Sequence, residues 1–545
     1  MRKEFLAIGM CLTLLVFSGA YWYIDALWKT QRISELENAI LGLRQNEKPV
    51  AEAGPDQIAK AGNAVYLNGT GTDPDGTIEL FEWDFDNDGI FDWNSTVNGV
   101  VSHIYHIAGT YLAVLRVTDN HGAIDEDVSL IKVYEEYNVF IYVPVYNRSS
   151  RAQNMVLKIT TEDGTPIVGV NATYKQIAQD FMFGGCCGGW ENATLAKELG
   201  INLMGGPNNL AADWAARLYS MPPPYNFTED VTEWLDHIDY MKRTFGVRYV
   251  VRGIGIPSIC WNIGGFCEAG SPPAWANITD IEGFLKPSWL EYAKTWVLRL
   301  NPDLYLIQGA PIAWVDEPPE RIEKNWDLLK WQIEVIKSID PDARCAVAIS
   351  AGWNGTGSPL DHDVFAFLDA MFAAGVSVEV IAIEYHPGID NCSPDISHMA
   401  AFYKALGKYN RDIFIWDACT VSNGSLGYPD PGYYSEEWQA EAMSGALKVA
   451  FENPLVIGIA FMVFQDYIGS GPNNTNAYWG FIRLDGTPKP SFYQTRDYWR
   501  STFVSGQAVT DENGEIWFTG YPGTYEVTID GKVYQEEFAR PRIVP

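Results

Sequence analysis

Between Phe181 and Phe464, short apolar runs alternate with stretches of helical periodicity, and this alternation limits the possible folds more than any other feature. The runs are Phe181 to Phe183, Ile201 to Met204, Arg248 to Gly253, Tyr305 to Val315, Arg344 to Ile349, Val378 to Tyr385, Ile413 to Trp416 and Val456 to Phe464. Eight strand-helix units in succession predict a closed (β/α)8 barrel. Two flanking stretches, Met155 to Tyr174 around Asp163-Gly164-Thr165-Pro166 and Gly506 to Ile529, read as strands and are expected to join in one small β-unit. From Pro49 to Tyr134 the pattern is one of short alternating strands and turns, which predicts a β-sandwich.

The N-terminus follows a different logic. Arg2 and Lys3 precede Phe5 to Ile24, a mostly apolar stretch without a charge, long enough for a helix that spans a bilayer. Tyr21-Trp22-Tyr23 suit interfacial anchors, whereas Ser18-Gly19-Ala20 suit a signal peptidase; the anchor is the expectation, with the rest of the chain outside the cell. Asp25 to Glu47 is charged and helical, with Leu27, Ile33, Leu36, Ile40 and Leu43 spaced for a self-associating stalk or for an amphipathic helix lying on the membrane or the next domain. The expected divisions are thus a signal anchor or transmembrane helix (1–24), a helical stalk (25–48), the sandwich (49–134), a linker with strands flanking the barrel (135–180), the barrel (181–503) and C-terminal strands (504–545).

Composition narrows the partners. A net charge of −31 over 545 residues excludes a groove that tracks a phosphate backbone, so nucleic acid is not expected. Eleven Asn-x-Ser/Thr sequons occur where composition alone gives about three, which fits a glycosylated exterior. Seven cysteines beyond Cys11 are expected to form disulfides there, one remaining free; their spacings lack the pairs of a zinc site.

A barrel of this type places its site at the C-terminal ends of its strands, so the polar residues that close each run are the candidates. They are Asn208 and Asn209 after run two, Arg252 and Trp261 after three, Asp316 and Glu317 after four, Glu384 with His386 after six, Asp417 after seven, and Gln465 with Asp466 after eight. Glycosidic cleavage needs one carboxyl to protonate the leaving oxygen and a second to attack or to activate water. Glu317, between Ala313-Trp314 and Pro318-Pro319, has apolar neighbours that favour a raised pKa and an acid role, and Asp417 between Trp416 and Ala418 is the natural second carboxylate. Trp314, Trp353, Tyr385, Trp416 and Trp479 offer faces on which sugar rings stack. In the sandwich, Asp84, Asp86, Asp88 and Asp92 alternate around Gly89 as the oxygen ligands of a calcium loop do; the other reading makes Trp83-Asp84-Phe85 a structural core motif.

Two families share these motifs. Ala53-Gly54-Pro55-Asp56, Glu82-Trp83-Asp84-Phe85-Asp86, Gly109-Thr110-Tyr111 and Val117-Thr118-Asp119 resemble a polycystic kidney disease (PKD) domain, which implies a spacer or binding module without catalysis. The region from Met155 to Ile529 resembles glycoside hydrolase family 10, of the wider clan of TIM-barrel glycosidases. Trp314-Val315-Asp316-Glu317-Pro318 is similar to its Asn-Glu-Pro acid/base motif, Glu384-Tyr385-His386 to its sixth-strand Gln-x-His, and Ile415-Trp416-Asp417 to its Ile-Thr-Glu nucleophile segment. Asn202, Asn208-Asn209, Arg252-Gly253 through Trp261, and Gly480-Phe481-Ile482 to Lys489-Pro490-Ser491 resemble other segments of that family. The resemblance implies a glycoside hydrolase with a carbohydrate substrate and no catalytic cofactor. Asp417 stands in the place of a longer Glu, which points toward the wider carboxylate spacing of inverting enzymes, about 6.5–9.5 Å. Asp316-Glu317-Pro318-Pro319 also resembles the family 123 type, in which an N-acetylhexosamine's own acetamido group attacks. The alternative function is a catalytically inactive barrel serving as a carbohydrate-binding or cell-envelope structural protein.

Overall fold

The structure is a computed structural model that describes the chain except residues 1, 42–45, 188–192, 206–227, 254–279, 309–318, 352–360, 386–394, 419, 421, 423–433, 469–475 and 543–545. It forms two compact units, one of residues 1–138 with 160–167, the other of the remainder.

The first unit opens with α1 (Arg2–Leu41), a single continuous helix. Among the described residues no helix is long and apolar enough to cross a membrane, so the span expected for Phe5 to Ile24 is not found. From Asp25 onward the same helix carries Lys29, Arg32, Glu35 and Glu37, which interrupt its apolar character. Leu27, Ile33 and Leu36 are exposed, so these three do not pack on the following domain.

Eight strands follow: β1 (Val50–Glu52), β2 (Gln57–Lys60), β3 (Ala64–Thr72), β4 (Ile78–Asp84), β5 (Trp93–Ser95), β6 (Gly99–Ile104), β7 (Gly109–Asp119) and β8 (Ile124–Tyr134). They build sheets of order β1-β3-β6 and β2-β8-β7-β4-β5, whose inward residues, among them Val65, Leu67, Trp83, Leu115 and Val117, form one apolar core. Along β3 from Val65 to Gly69, and along β8 from Ser129 to Val133, every second residue is buried, as a two-sheet sandwich requires.

In the second unit β9 (Asn138–Tyr142), β10 (Gln153–Thr160) and β11 (Asn171–Gln179) lead into the barrel strands β12 (Met182–Cys187), β13 (Leu203–Gly205), β14 (Tyr249–Gly253), β15 (Leu304–Gln308), β16 (Cys345–Ala351), β17 (Val380–Tyr385), β18 (Asp412–Ala418) and β19 (Val456–Val463). All neighbouring pairs are parallel and β12 pairs with β19, closing the barrel. The helices between them include α2 (Ala193–Leu199), α3 (Thr228–Phe245), α4 (Lys286–Leu300), α5 (Pro319–Ile339), α6 (Asp361–Ala373), α7 (Ile396–Leu406) and α8 (Glu436–Glu452). A short β20 (Tyr467–Ile468) pairs with β21 (Asn476–Ala477), and α9 (Pro490–Ser501) packs beside α8. The chain ends in β22 (Ser505–Val509), β23 (Glu515–Gly520), β24 (Gly523–Ile529) and β25 (Lys532–Phe538).

The flanking strands do pair across the barrel sequence: β10 with β23, and β11 with both β22 and β24. They make two sheets, β23-β10-β9 and β22-β11-β24-β25, where one unit was expected. Cys345, the one cysteine side chain among the described residues, is buried and free, so no disulfide forms there; the other expected partners lie outside the described side chains.

Candidate active site

Parallel strands bury both faces, and here each face has its own layer. Val251, Leu304, Leu306, Val380, Ala382 and Phe414 fill the interior, whereas Tyr305, Ile307, Ile381, Ile383, Ile413 and Ile415 join the layer between strands and helices. Alternation along β17 therefore carries Glu384 to the inner side at the strand's C-terminal end, where it is half-buried and in register with Ser350 of β16 and Trp416 of β18. Trp416 and Trp479 both pack into the interior cluster, against which Tyr434 also lies, and Trp416 is 6.3 Å from Phe414, ring to ring. Gln465, just past β19, is half-buried and its Nε2 donates to the Arg483 carbonyl at 3.3 Å. Among the described residues the C-terminal mouth thus brings together Glu384, Gln465, Trp416 and Trp479.

Other expected residues lie elsewhere. Arg252 sits between the inward Val251 and Gly253 and turns outward; it is buried, its Nη2 donates to the Tyr292 hydroxyl at 3.1 Å, and its guanidinium lies 4.0 Å over the Trp296 ring, both on α4. These two contacts tie the strand to the helix. Tyr385 likewise faces α7, its hydroxyl 3.2 Å from Nδ1 of His398 and its ring packed against Phe402 and Tyr403, so it offers no stacking face. Asn202 fastens the strand start, accepting from the Phe183 amide at 2.8 Å and donating to the Phe181 carbonyl at 2.9 Å. Asn208, Asn209, Trp261, Trp314, Asp316, Glu317, Trp353 and His386 lie outside the described residues, and Asp417 is described in its backbone only, within β18.

Asp466, a candidate after run eight, is joined at the mouth by a partner that sequence alone does not pair with it. Lys489 and Asp466 form a fully buried ion pair at 2.8 Å, and Asp466 also accepts the Gly480 amide at 2.9 Å. Burial pushes the Asp466 carboxyl up and the Lys489 ammonium down, against their mutual attraction.

In the sandwich, Asp84 is buried and organises its own turn: Oδ1 accepts the amides of Asp86, Asn87 and Asp88, and Oδ2 that of Gly89. Asp84, Asp86 and Asp88 each place a carboxylate oxygen within 4.8 Å of the others. Asp92 is not of that group; its Oδ2 accepts the Phe85 amide at 2.9 Å. Trp83 is buried and donates its indole N–H to the Gly99 carbonyl at 2.8 Å.

Comparison with known proteins divides along the same lines. Residues 46–133 match the PKD domain family. Over 92 residues the chain is 33% identical to collagenase ColA of Clostridium perfringens, a match spanning 17% of this chain and 8% of that protein. Similar solved structures include a xylanase, Xyn10A, from Cellvibrio japonicus (10% identical, 58% of this chain and 97% of that one, TM-score 0.42) and a GH10 xylanase of Thermobacillus composti (14% identical, 58% and 97%, TM-score 0.41). A β-glucuronidase of Bacteroides uniformis is 11% identical over 91% of this chain, which spans 61% of it, with a TM-score of 0.39. The chain carries a PKD domain in residues 46–133, and its closed barrel rests on its own eight hydrogen-bonded strands.

Proposed function

We propose that the barrel is a glycoside hydrolase acting on polysaccharide or glycoprotein glycans, with Glu317 as the proton donor and Asp417 as the second carboxylate. The observation that supports it most is closure: in a closed parallel barrel the C-terminal ends of β15, β17 and β18 open on one face, which is where a barrel of this type gathers its catalytic groups, and Glu317, Glu384 and Asp417 fall in the sequence after or at the ends of those strands. Interior tryptophans at that mouth suit the apolar face of a sugar ring. Asn208, Asn209, Trp261, Asp316, His386, Gln465 and Trp479 complete the proposed binding residues, with Glu384 among them, while the described contacts of Arg252 run to α4.

Sugar release by the chain from a glycan panel that includes N-acetylated substrates tests this reading, with the anomeric form of the first product followed by NMR. Inversion supports water activated by Asp417; retention lost only when the acetamido group is removed supports the substrate-assisted route; no release, with glycans still bound, supports an inactive binding barrel. The eleven sequons support a place outside the cell, checked by the mass lost on enzymatic deglycosylation of the native protein. The all-oxygen donor set of Asp84, Asp86 and Asp88 suits calcium, at the modest affinity of extracellular modules, about 10⁻⁴–10⁻³ M.

A further inference from the structure

We propose that the buried ion pair Lys489–Asp466 is a positioning element of the barrel mouth, holding Trp479 and Gln465 where a ligand entering the barrel meets them. The ligand class rests on the carbohydrate reading above; the positioning itself does not.

The geometry centres on the two neighbours of Trp479. Lys489 Nζ donates to Asp466 Oδ1 at 2.8 Å, to Ser422 Oγ at 3.1 Å and to the Tyr478 carbonyl at 3.3 Å. That carbonyl also accepts from the Ser422 amide, the Ser422 hydroxyl and Gln439 Nε2, each at 3.1 Å. On the other side of Trp479, the Gly480 amide donates to the same Asp466 oxygen. Both residues flanking the indole are therefore pinned through their backbones to one buried pair, and Asp466 is the covalent neighbour of Gln465. Gly480 has no room for a side chain, since a Cβ there would lie 2.6 Å from the Asp466 nitrogen and from the Gln465 carbonyl carbon. Side-chain exposures of 1% for Lys489 and 2% for Asp466 mean that the pair bears a desolvation cost that an apolar pair would avoid. What the charged pair supplies instead is a fixed relation between the segments that follow β18 and β19 and the start of α9, and those segments carry the mouth's tryptophan and amide.

The test uses the full chain labelled with 5-fluorotryptophan, the Trp479 line being identified by its loss in Trp479→Phe. Lys489→Met and Asp466→Ala are expected to displace that ¹⁹F line by more than its width while the lines of Trp83 and Trp289, buried in other cores, stay in place. Asp466→Asn, which keeps an oxygen for the Gly480 amide, is expected to restore most of the native position. A Trp479 line unmoved in Lys489→Met overturns the proposal. Should that variant not fold, Ser422→Ala, which removes a single Nζ partner, is expected to give a smaller displacement, and none would again overturn it. On a glycan the unaltered chain cleaves, Lys489→Met is expected to raise KM with kcat retained. A chain that cleaves no glycan overturns the hydrolase reading alone, and the fluorine spectrum still decides the positioning.

Discussion

Asp84 accepts four backbone amides with one buried carboxylate, so Asp84→Ala leaves several donors in the sandwich without an acceptor. A loss of about 1–3 kcal/mol is expected, read by denaturant unfolding of the sandwich. Cys345 gives a pH prediction. Burial pushes its thiol from 9.0 up to about 12, so the folded state holds the proton more tightly than the unfolded one. Its contribution to stability is intact below pH 9 and lost as pH rises from 9 toward 12, and alkylation at pH 8, followed by mass spectrometry, should modify Cys345 only after unfolding. Arg252 and Tyr385 mark what single residues concealed. Arg252 lies at the end of an apolar run and Tyr385 offers an aromatic face, but a strand buried on both faces hides the period of two that tells inside from outside. Only the packing on Trp296 and His398 reveals the outward direction.

At the scale of elements, the C-terminal segment after β25 fastens the barrel at the end opposite the mouth. The Arg540 amide donates to Asp180 at 2.6 Å, its guanidinium to Asp412 at 2.7 Å, and Arg344 reaches the other Asp412 oxygen at 2.6 Å. Asp412 begins β18, the strand that carries Trp416 and Asp417, and is almost fully buried. Asp412→Ala leaves two guanidinium groups at that end without their carboxylate and is expected to cost about 3–5 kcal/mol, read by chemical denaturation. The strands of the barrel were legible because continuous apolar runs bounded by polar residues are what buried parallel strands require; β16, β17, β18 and β19 lie within or close to the expected runs. Of the run from Tyr305 to Val315, β15 covers Tyr305 to Gln308 and the remainder lies outside the described residues. The pairing of Lys489 with Asp466 and the C-terminal fastening left no such trace, because charged residues far apart in sequence give no sign of their partners until the fold buries them together.

For the whole molecule, two compact units with separate apolar cores predict calorimetric unfolding in more than one transition, and a single two-state transition would count against independent cores. The C-terminal mouth of the barrel gathers Glu384, Gln465, Trp416 and Trp479. The most direct measurement there compares the rate at which Glu317→Gln and the unaltered chain release reducing sugar from the same glycan. An acid role for Glu317 predicts a fall of about 10²–10⁴-fold with glycan binding retained; equal release by the two proteins would contradict it.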